Sequence, residues 1–363
     1  VTNYLETALS SELWKASTVA TIAYEYRRLL DHYASLTGAP AEFVQWQGHD
    51  FSMRGVDGVE RAALAGLGHL LSFTGTDTLA AVDLAEAYYG ADASTELIGS
   101  TVPASEHSVM CMGGEGDEIG TFRRLVTDVY PSGIVSVVSD TWDFWHVIGS
   151  MAAELKPEIL ARKPDALGNA KVVFRPDSGN PVMVLTGYTD EEAKGMDLRQ
   201  EEAAGAVETL WNVFGGHVNS KGYKVLDSHV GLIYGDSITL DRAQQILHRL
   251  KAKGFASTNV VFGIGSYTYQ YLTRDSLGMA AKGTAGIVNG ETRELFKDPI
   301  TDSGTKRSAR GYIRVEEDGD SFVQYDRQSF DRSKSGALRP VFRDGKLLEE
   351  TTLSQIRARL GAL

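Results

Sequence analysis

The sequence predicts an α/β barrel with a small antiparallel extension. Seven short apolar runs each end in a polar turn, and most lead into a helical pattern. Strands alternating with helices in this way imply βαβ units and a parallel sheet. The polar residues sit just past each run, at the strand C-terminal ends. A closed barrel brings all of those ends to one face, whereas an open doubly wound sheet would use a single switch point and leave several turns idle.

Taken in order, residues 4–35 carry apolar positions at helical spacing, and Gly38 and Pro40 close the segment. The mixed spacing suggests two helices. The first strand-like run is Phe43–Trp46, followed by the turn QGHDFSMRG and an Ala/Leu-rich helix from about Gly58. Leu70–Phe73 leads into TGTD and a helix through Tyr89, and Leu97–Val102 leads into PASEH. Ile134–Val138 ends in Ser139-Asp140, with an aromatic-rich helix from Trp142. Val172–Arg175 ends in PDSGNP, Leu232–Tyr234 in GDS, and Val260–Phe262 in GIGS. Ala285–Val288 is a candidate eighth strand.

Two stretches break the rhythm. Residues 182–230 form a long insertion with an acidic helical part, Asp190–Phe214, and a Gly/Ser-rich piece ending in KGYK. From about Lys297 the pattern turns antiparallel, with runs at Tyr312–Val315, Phe322–Tyr325 and Pro340–Leu348 around an Asp344-Gly345 turn, and a closing helix at Leu353–Leu360. The expected division is therefore a barrel over residues 1–296 and a β-rich extension with its closing helix over 297–363.

Composition narrows the class. The chain has 363 residues and a net charge of −12, with no basic run, which argues against nucleic acid as a partner. Any anionic ligand must be held by a few local cations. The single cysteine, Cys111, excludes an internal disulfide and favours a reducing, cytoplasmic compartment. No segment is apolar enough to span a bilayer, and the N-terminus has no signal-peptide pattern. The sequence starts without Met and directly in helical pattern, as a piece of a longer protein would.

Pooling the strand ends gives Arg54, Asp77, His107, Asp140, Arg175, Asp177 and Asp236, with the turn Gly263–Ser266. Arginine forks match phosphate oxygens, and carboxylates accept from sugar hydroxyls or hold Mg²⁺, so the set suits a phosphorylated, hydroxyl-rich ligand. The Gly263–Ser266 turn offers backbone N–H groups to an anion but fails the dinucleotide fingerprint, because Thr268 stands at its sixth position. Arg274 reaches the same anion or pairs on the surface with Asp275 or Glu294. A lone histidine such as His107 is more often structural than catalytic. There is no HExxH, cysteine cluster or GxSxG. Trp142, Phe144 and Trp145 read as core, whereas Phe51, an apolar ring in a polar turn, suits stacking on a flat base.

The strings QGHDFSMRG, FTGTDT, VPASEHS, VSVVSDTWD, FRPDSGNP, GDS, FGIGSYTYQYLTRD and FKDPITD together resemble the nicotinamide phosphoribosyltransferases, in their bacterial and phage branch. The resemblance implies a type II phosphoribosyltransferase barrel. It also implies a homodimer with shared active sites, and transfer of phosphoribose from 5-phosphoribosyl-1-pyrophosphate to nicotinamide. Mg²⁺ would serve as cofactor and ATP as co-substrate, with a phosphorylated histidine coupling ATP hydrolysis to the transfer.

Carried over by motif, Phe51 would stack on the pyridine ring and Asp77 would accept from the carboxamide. Arg54 and Arg175 would face the pyrophosphate and the reacting centre, with Asp177 beside the ribose, Ser178 among the substrate-binding residues, and Gly235 and Asp236 on the ribose hydroxyls. Gly265, Ser266, Arg274 and Lys282 would hold phosphate, and His107 would be the phosphorylated histidine, oriented by Asp140. Family members carry an N-terminal region ahead of the point where this chain starts, which supplies a second stacking aromatic and further cations. The alternative within the enzyme class is a nicotinate phosphoribosyltransferase; Asp77, provided it sits at the ring, decides between them, because a carboxylate accepts from an amide N–H₂ and repels the carboxylate of nicotinate. An incomplete relative that binds nucleotide without full turnover is the alternative from another class.

Overall fold

A computed structural model describes residues 2–296 and 308–361. Within them the chain forms two compact units, Trp14–Ser276 with Thr352–Leu363, and Val1–Leu13 with Leu277–Thr351.

The larger unit is built on six parallel strands: β1 (Gly48–Asp50), β2 (Gly75–Thr76), β3 (Val135–Val138), β4 (Val172–Arg175), β5 (Val230–Tyr234) and β6 (Val260–Ile264). Their order in the sheet is β2-β1-β6-β5-β4-β3. The two edge strands are joined through residues 100–104, where Ser100 bridges in parallel to Gly75 and Ala104 to Ser136. The expected barrel is therefore a curled parallel sheet whose remaining member is an irregular segment. Leu97–Val102 forms no strand beyond that bridge.

Register sets the rim. Val138 pairs with Arg175, Phe174 with Leu232, Tyr234 with Phe262, and Asp50 with both Ile264 and Thr76, so the strand C-termini end at one level. The strand interiors Val137, Phe174, Leu232 and Phe262 are buried in one core cluster with Phe122, Ile148 and Leu210. Burial of that apolar area is the main term holding the sheet closed.

Several expectations are corrected. The two helices expected in residues 4–35 are one 36-residue helix, α1 (Thr2–Thr37). No Gly or Pro interrupts it, and its apolar positions change face, Leu5 and Leu9 being exposed while Val19, Tyr26 and Leu30 are buried. Phe43–Trp46 lies in a 3₁₀ turn, Ala41–Trp46, and the strand is the polar Gly48–Asp50 that follows. Likewise α2 (Val59–Leu70) runs into the predicted Leu70–Phe73 strand, and β2 starts only at Gly75. A four-residue apolar run fits a helical turn as well as a strand.

The candidate eighth strand, Ala285–Val288, instead pairs antiparallel with Glu291–Glu294 in the smaller unit. Between them Asn289 and Gly290 both take positive φ, 52° and 83°, the hairpin turn chemistry of Asn-Gly. The same unit holds the antiparallel pair Tyr312–Asp318 and Ser321–Gln328, and the short hairpin around Asp344-Gly345. Most of FKDPITD lies outside the described residues.

The 182–230 insertion is the crossover from β4 to β5. Its helix Ala206–Phe214 buries Ala206, Val207, Leu210 and Phe214 in the barrel core. The closing helix Leu353–Leu360 groups with the barrel rather than with the extension, because buried Arg357 donates to the carbonyls of Leu70, Leu97 and Ile98 at 2.9, 2.9 and 2.7 Å. The unit boundary near residue 276 also falls earlier than the expected 296.

Candidate active site

The rim divides into three neighbouring groups of side chains. The first grows from β1 and β2. Phe51 continues the ladder by one bond, its N–H donating to the Ile264 carbonyl at 3.0 Å. Its ring then lies over the backbone of Gly263 and Gly235. A Cβ on Gly263 would sit 2.5 Å from ring carbons of Phe51, so only glycine seats the ring there. The His49 ring is 4.8 Å from that of Phe51. His49 Nε2 lies 2.9 Å from Asp77 Oδ1, and the Thr101 hydroxyl donates to the same oxygen at 2.7 Å. Burial pushes the Asp77 carboxyl up, but the His49 and Thr101 bonds and the Arg175 charge outweigh it and leave it below its ordinary value.

Beneath this group His69 is fully buried in α2, stacked on Phe73 with ring centroids 5.1 Å apart. Its Nε2–H donates to the Gly75 carbonyl at 3.0 Å, which leaves Nδ1 to accept from the Tyr269 hydroxyl at 2.8 Å. Burial drives His69 down to about 4, against smaller opposing effects of Asp50 and the carbonyls it bonds. His69 thus ties the strand that delivers Asp77 to the turn carrying Ser266.

The second group surrounds Asp140, whose side chain is 4% exposed. Asp140 Oδ1 lies 3.2 Å from His107 Nε2, while Oδ2 accepts from the Asp177 backbone N–H at 2.8 Å and the Ser178 hydroxyl at 2.7 Å. His107 opens the short helix α3 (His107–Gly113) and is partly exposed. With Nε2–H directed at a carboxylate, its Nδ1 carries the lone pair. Ser178, expected on the ligand, spends its hydroxyl on Asp140. Beside this pair lies a cavity of about 270 Å³, lined by Asp140, Trp145, Ser178, Met183 and Tyr188. Of the expected core aromatics, Phe144 is buried in the core, and Trp142 and Trp145 are half-buried and pack against that core.

The third group holds the charges between them. Arg175 is 9% exposed; one of its Nη atoms donates to the Ser105 carbonyl at 2.6 Å, and its Nε is buried with no hydrogen-bond partner among the described residues. A guanidinium with an orphaned buried N–H suits an anionic ligand. Burial raises the Asp177 carboxyl, as do nearby Asp140 and Asp236, against the lowering effect of Arg175 and His107. The Tyr234 hydroxyl donates to the carbonyls of Ser178 and Gly179 at 2.8 and 3.1 Å and so fixes the PDSG turn.

Gly235 and exposed Asp236 follow β5, next to Asp177. Gly265 and Ser266 open the single helical turn Ser266–Tyr269, and the Met53–Gly55 turn bearing exposed Arg54 packs against it. A Cβ on Gly55 would meet Ser266 Oγ at 2.1 Å, which shows how closely the two turns approach. Arg274 lies in the next 3₁₀ turn with one Nη 3.5 Å from Asp275. Lys282 is exposed and belongs to the smaller unit.

Sequence pattern alone did not single out His49, Thr101, Ser105, His69 or Tyr269. His49 sits inside a quoted motif, but its spacing carries no sign that it bonds Asp77. Thr101 is brought in by the irregular segment between β2 and β3.

A parallel α/β ring with cations, carboxylates and an oriented histidine on its C-terminal rim is the framework of an enzyme acting on a phosphorylated sugar. The chain belongs to the nicotinate phosphoribosyltransferase family, whose model matches residues 46–334. It is 58% identical over 360 residues to a nicotinamide phosphoribosyltransferase of Acinetobacter baylyi, covering 99% of this chain and 70% of that one. It is 39% identical over 310 residues to a nicotinamide phosphoribosyltransferase of Mycoplasma pneumoniae, covering 85% of this chain and 62% of the relative. A third of that name, from Xanthomonas campestris, is 37% identical over 371 residues and is covered to 72% of its length. Among the described residues no helix is long and apolar enough to cross a membrane.

Proposed function

We propose that this chain is a nicotinamide phosphoribosyltransferase, joining nicotinamide to 5-phosphoribosyl-1-pyrophosphate to give nicotinamide mononucleotide and pyrophosphate in cytoplasmic NAD salvage. The observation that carries the choice of base is the contiguous set Phe51, His49 and Asp77, a flat apolar ring beside a carboxylate favoured in its charged form. Such a carboxylate accepts from a carboxamide N–H₂ and repels the carboxylate of nicotinate.

Phe51 stacks on the pyridine ring, and Asp77 accepts from its amide. Arg54 and Arg175 face the pyrophosphate and stabilise the charge that gathers on it as the C1–O bond breaks. Asp177 stands beside the sugar, where its charge stabilises the oxocarbenium-like centre, and Asp236 and the Gly235 backbone hold ribose hydroxyls. Gly265, Ser266 and Arg274 serve the phosphates. Among the described residues no three acidic, histidine or cysteine side chains are placed to hold a metal alone. Mg²⁺ characteristically binds one or two carboxylates together with substrate phosphates. Asp177, raised in part by neighbouring Asp140 and Asp236, fits that role with Asp236. The ion would supply charge compensation for the pyrophosphate.

His107 accepts a phosphoryl group from ATP, with Asp140 fixing the tautomer that presents the nucleophilic nitrogen. The working protein is a homodimer with shared sites. Incubation with nicotinamide, phosphoribosyl pyrophosphate and Mg²⁺, followed by chromatographic assay of the mononucleotide, tests the reading. Absence of product over a range of protein concentrations counts against it.

A further inference from the structure

We propose that Thr101 and His49 set base specificity by occupying one oxygen of Asp77, so that its carboxylate presents a single open acceptor to the ligand's carboxamide. This rests on the reading of Asp77 as the residue at the base. Both hydrogen bonds end on Oδ1, from His49 Nε2 at 2.9 Å and from the Thr101 hydroxyl at 2.7 Å. Among the described residues no hydrogen bond ends on Oδ2, and the Asp77 side chain is 48% exposed. The backbone beneath it is fixed as well, because the Asp77 N–H donates to the Asp50 carbonyl at 2.9 Å.

The two donors come from different elements, and each is held in place. His49 is 9% exposed in β1 and packs against Phe51. Thr101 follows Ser100, which bridges to Gly75 two residues before Asp77. A carboxylate clamped at one oxygen cannot turn about its Cβ–Cγ bond without breaking two hydrogen bonds. Its second oxygen therefore keeps one direction and matches one N–H of a carboxamide.

The clamp also keeps the group charged. Hydrogen bonds to a carboxylate favour its ionised form, and here they outweigh the effect of burial. A protonated carboxyl would donate to nicotinate's carboxylate and lose the discrimination. Thr101 and His49 thus act as positioning residues: neither needs to touch the base for specificity to depend on it.

The test measures dissociation constants of nicotinamide and nicotinate by calorimetry, so that it does not depend on turnover, on the unsubstituted chain and on Thr101→Val, Thr101→Ser, His49→Leu and Asp77→Asn. Thr101→Val keeps shape and loses only the donor. It should lower the nicotinamide-over-nicotinate ratio about tenfold, the scale of one hydrogen bond to a charged group. Thr101→Ser should keep the ratio within about twofold, since its hydroxyl remains. His49→Leu should act in the same direction as Thr101→Val. In turnover, Thr101→Val should raise KM for nicotinamide and leave KM for phosphoribosyl pyrophosphate unchanged, a split that general loosening of the fold would not give. If Thr101→Val keeps the ratio while Asp77→Asn collapses it, the clamp is wrong and the base assignment stands. If Asp77→Asn also keeps the ratio, or the unsubstituted chain shows no preference, both are wrong.

Discussion

Acid should weaken this fold through His69, and the size of the effect follows from its surroundings. His69 has no solvent exposure, and both ring nitrogens are committed, one as donor to Gly75 and one as acceptor from Tyr269. Protonation would put a charge in a site without water and force Tyr269 to reverse its bond. Burial accordingly lowers the group from 6.5 to about 4. The sign follows from linkage: a depressed folded value gives stability that is complete above the unfolded value and is lost as pH falls toward the folded one. The window is therefore from about pH 6.5 down to about pH 4. At 1.36 kcal/mol per pH unit, that gap comes to roughly 3 kcal/mol. A fully buried group requires no discount for solvent screening. Urea unfolding at pH 7, 6, 5 and 4 on the unsubstituted chain and on His69→Gln isolates the effect, because all other titrating groups are shared. His69→Gln starts less stable but should lose about 3 kcal/mol less across the series. Parallel loss in the two proteins would show that His69 does not titrate in this window and would refute the argument.

His107→Ala should abolish ATP hydrolysis while phosphoribosyl transfer persists at a reduced rate, since breaking the bond at C1 needs no phosphohistidine; parallel ATPase and mononucleotide assays check this. Because Asp140 takes His107 Nε2, the phosphoryl group should reside on Nδ1, which phosphorus NMR distinguishes from the Nε2 isomer. Asp140→Asn should slow phosphorylation by about two orders of magnitude, since an amide that donates toward the ring favours the other tautomer. Gly263→Ala should raise KM for nicotinamide about tenfold, because the added Cβ lands 2.5 Å from the Phe51 ring and displaces it; an unchanged value would place the base elsewhere.

The parts of this fold that sequence revealed and the parts it concealed differ for a physical reason. β3, β4, β5 and β6 are apolar runs buried on both faces, and their hydrophobicity announces them. β1 and β2 are buried too, but they are written Gly-His-Asp and Gly-Thr, with no apolar residue to mark them. Their composition follows from their position. His49 must reach Asp77, Asp50 accepts from the Ser52 N–H at 2.8 Å, and Gly75 supplies the carbonyl that fixes His69. The two strands that lead into Phe51 and Asp77 are therefore the two that hydropathy misplaces, each shifted onto an apolar run just before it. The residues at their ends were found from the polar turns and given roles by motif resemblance, and both preserve order along the chain but say nothing of hydrogen bonds across it. Strand-end turns thus singled out Asp77, His107 and Asp140, whereas only the folded register shows that Ser178 serves Asp140 and that His49 and Thr101 share one oxygen of Asp77. Those cross-strand partners of Asp77 come from the elements with the weakest local signal. Polar strands are costly to bury, and these persist because nearly every buried group in them finds a partner in the neighbouring element. Asp50 Oδ2, buried with no hydrogen-bond partner among the described residues, is the exception; its charge opposes the effect of burial on His69 and adds to the effect of burial on Tyr269.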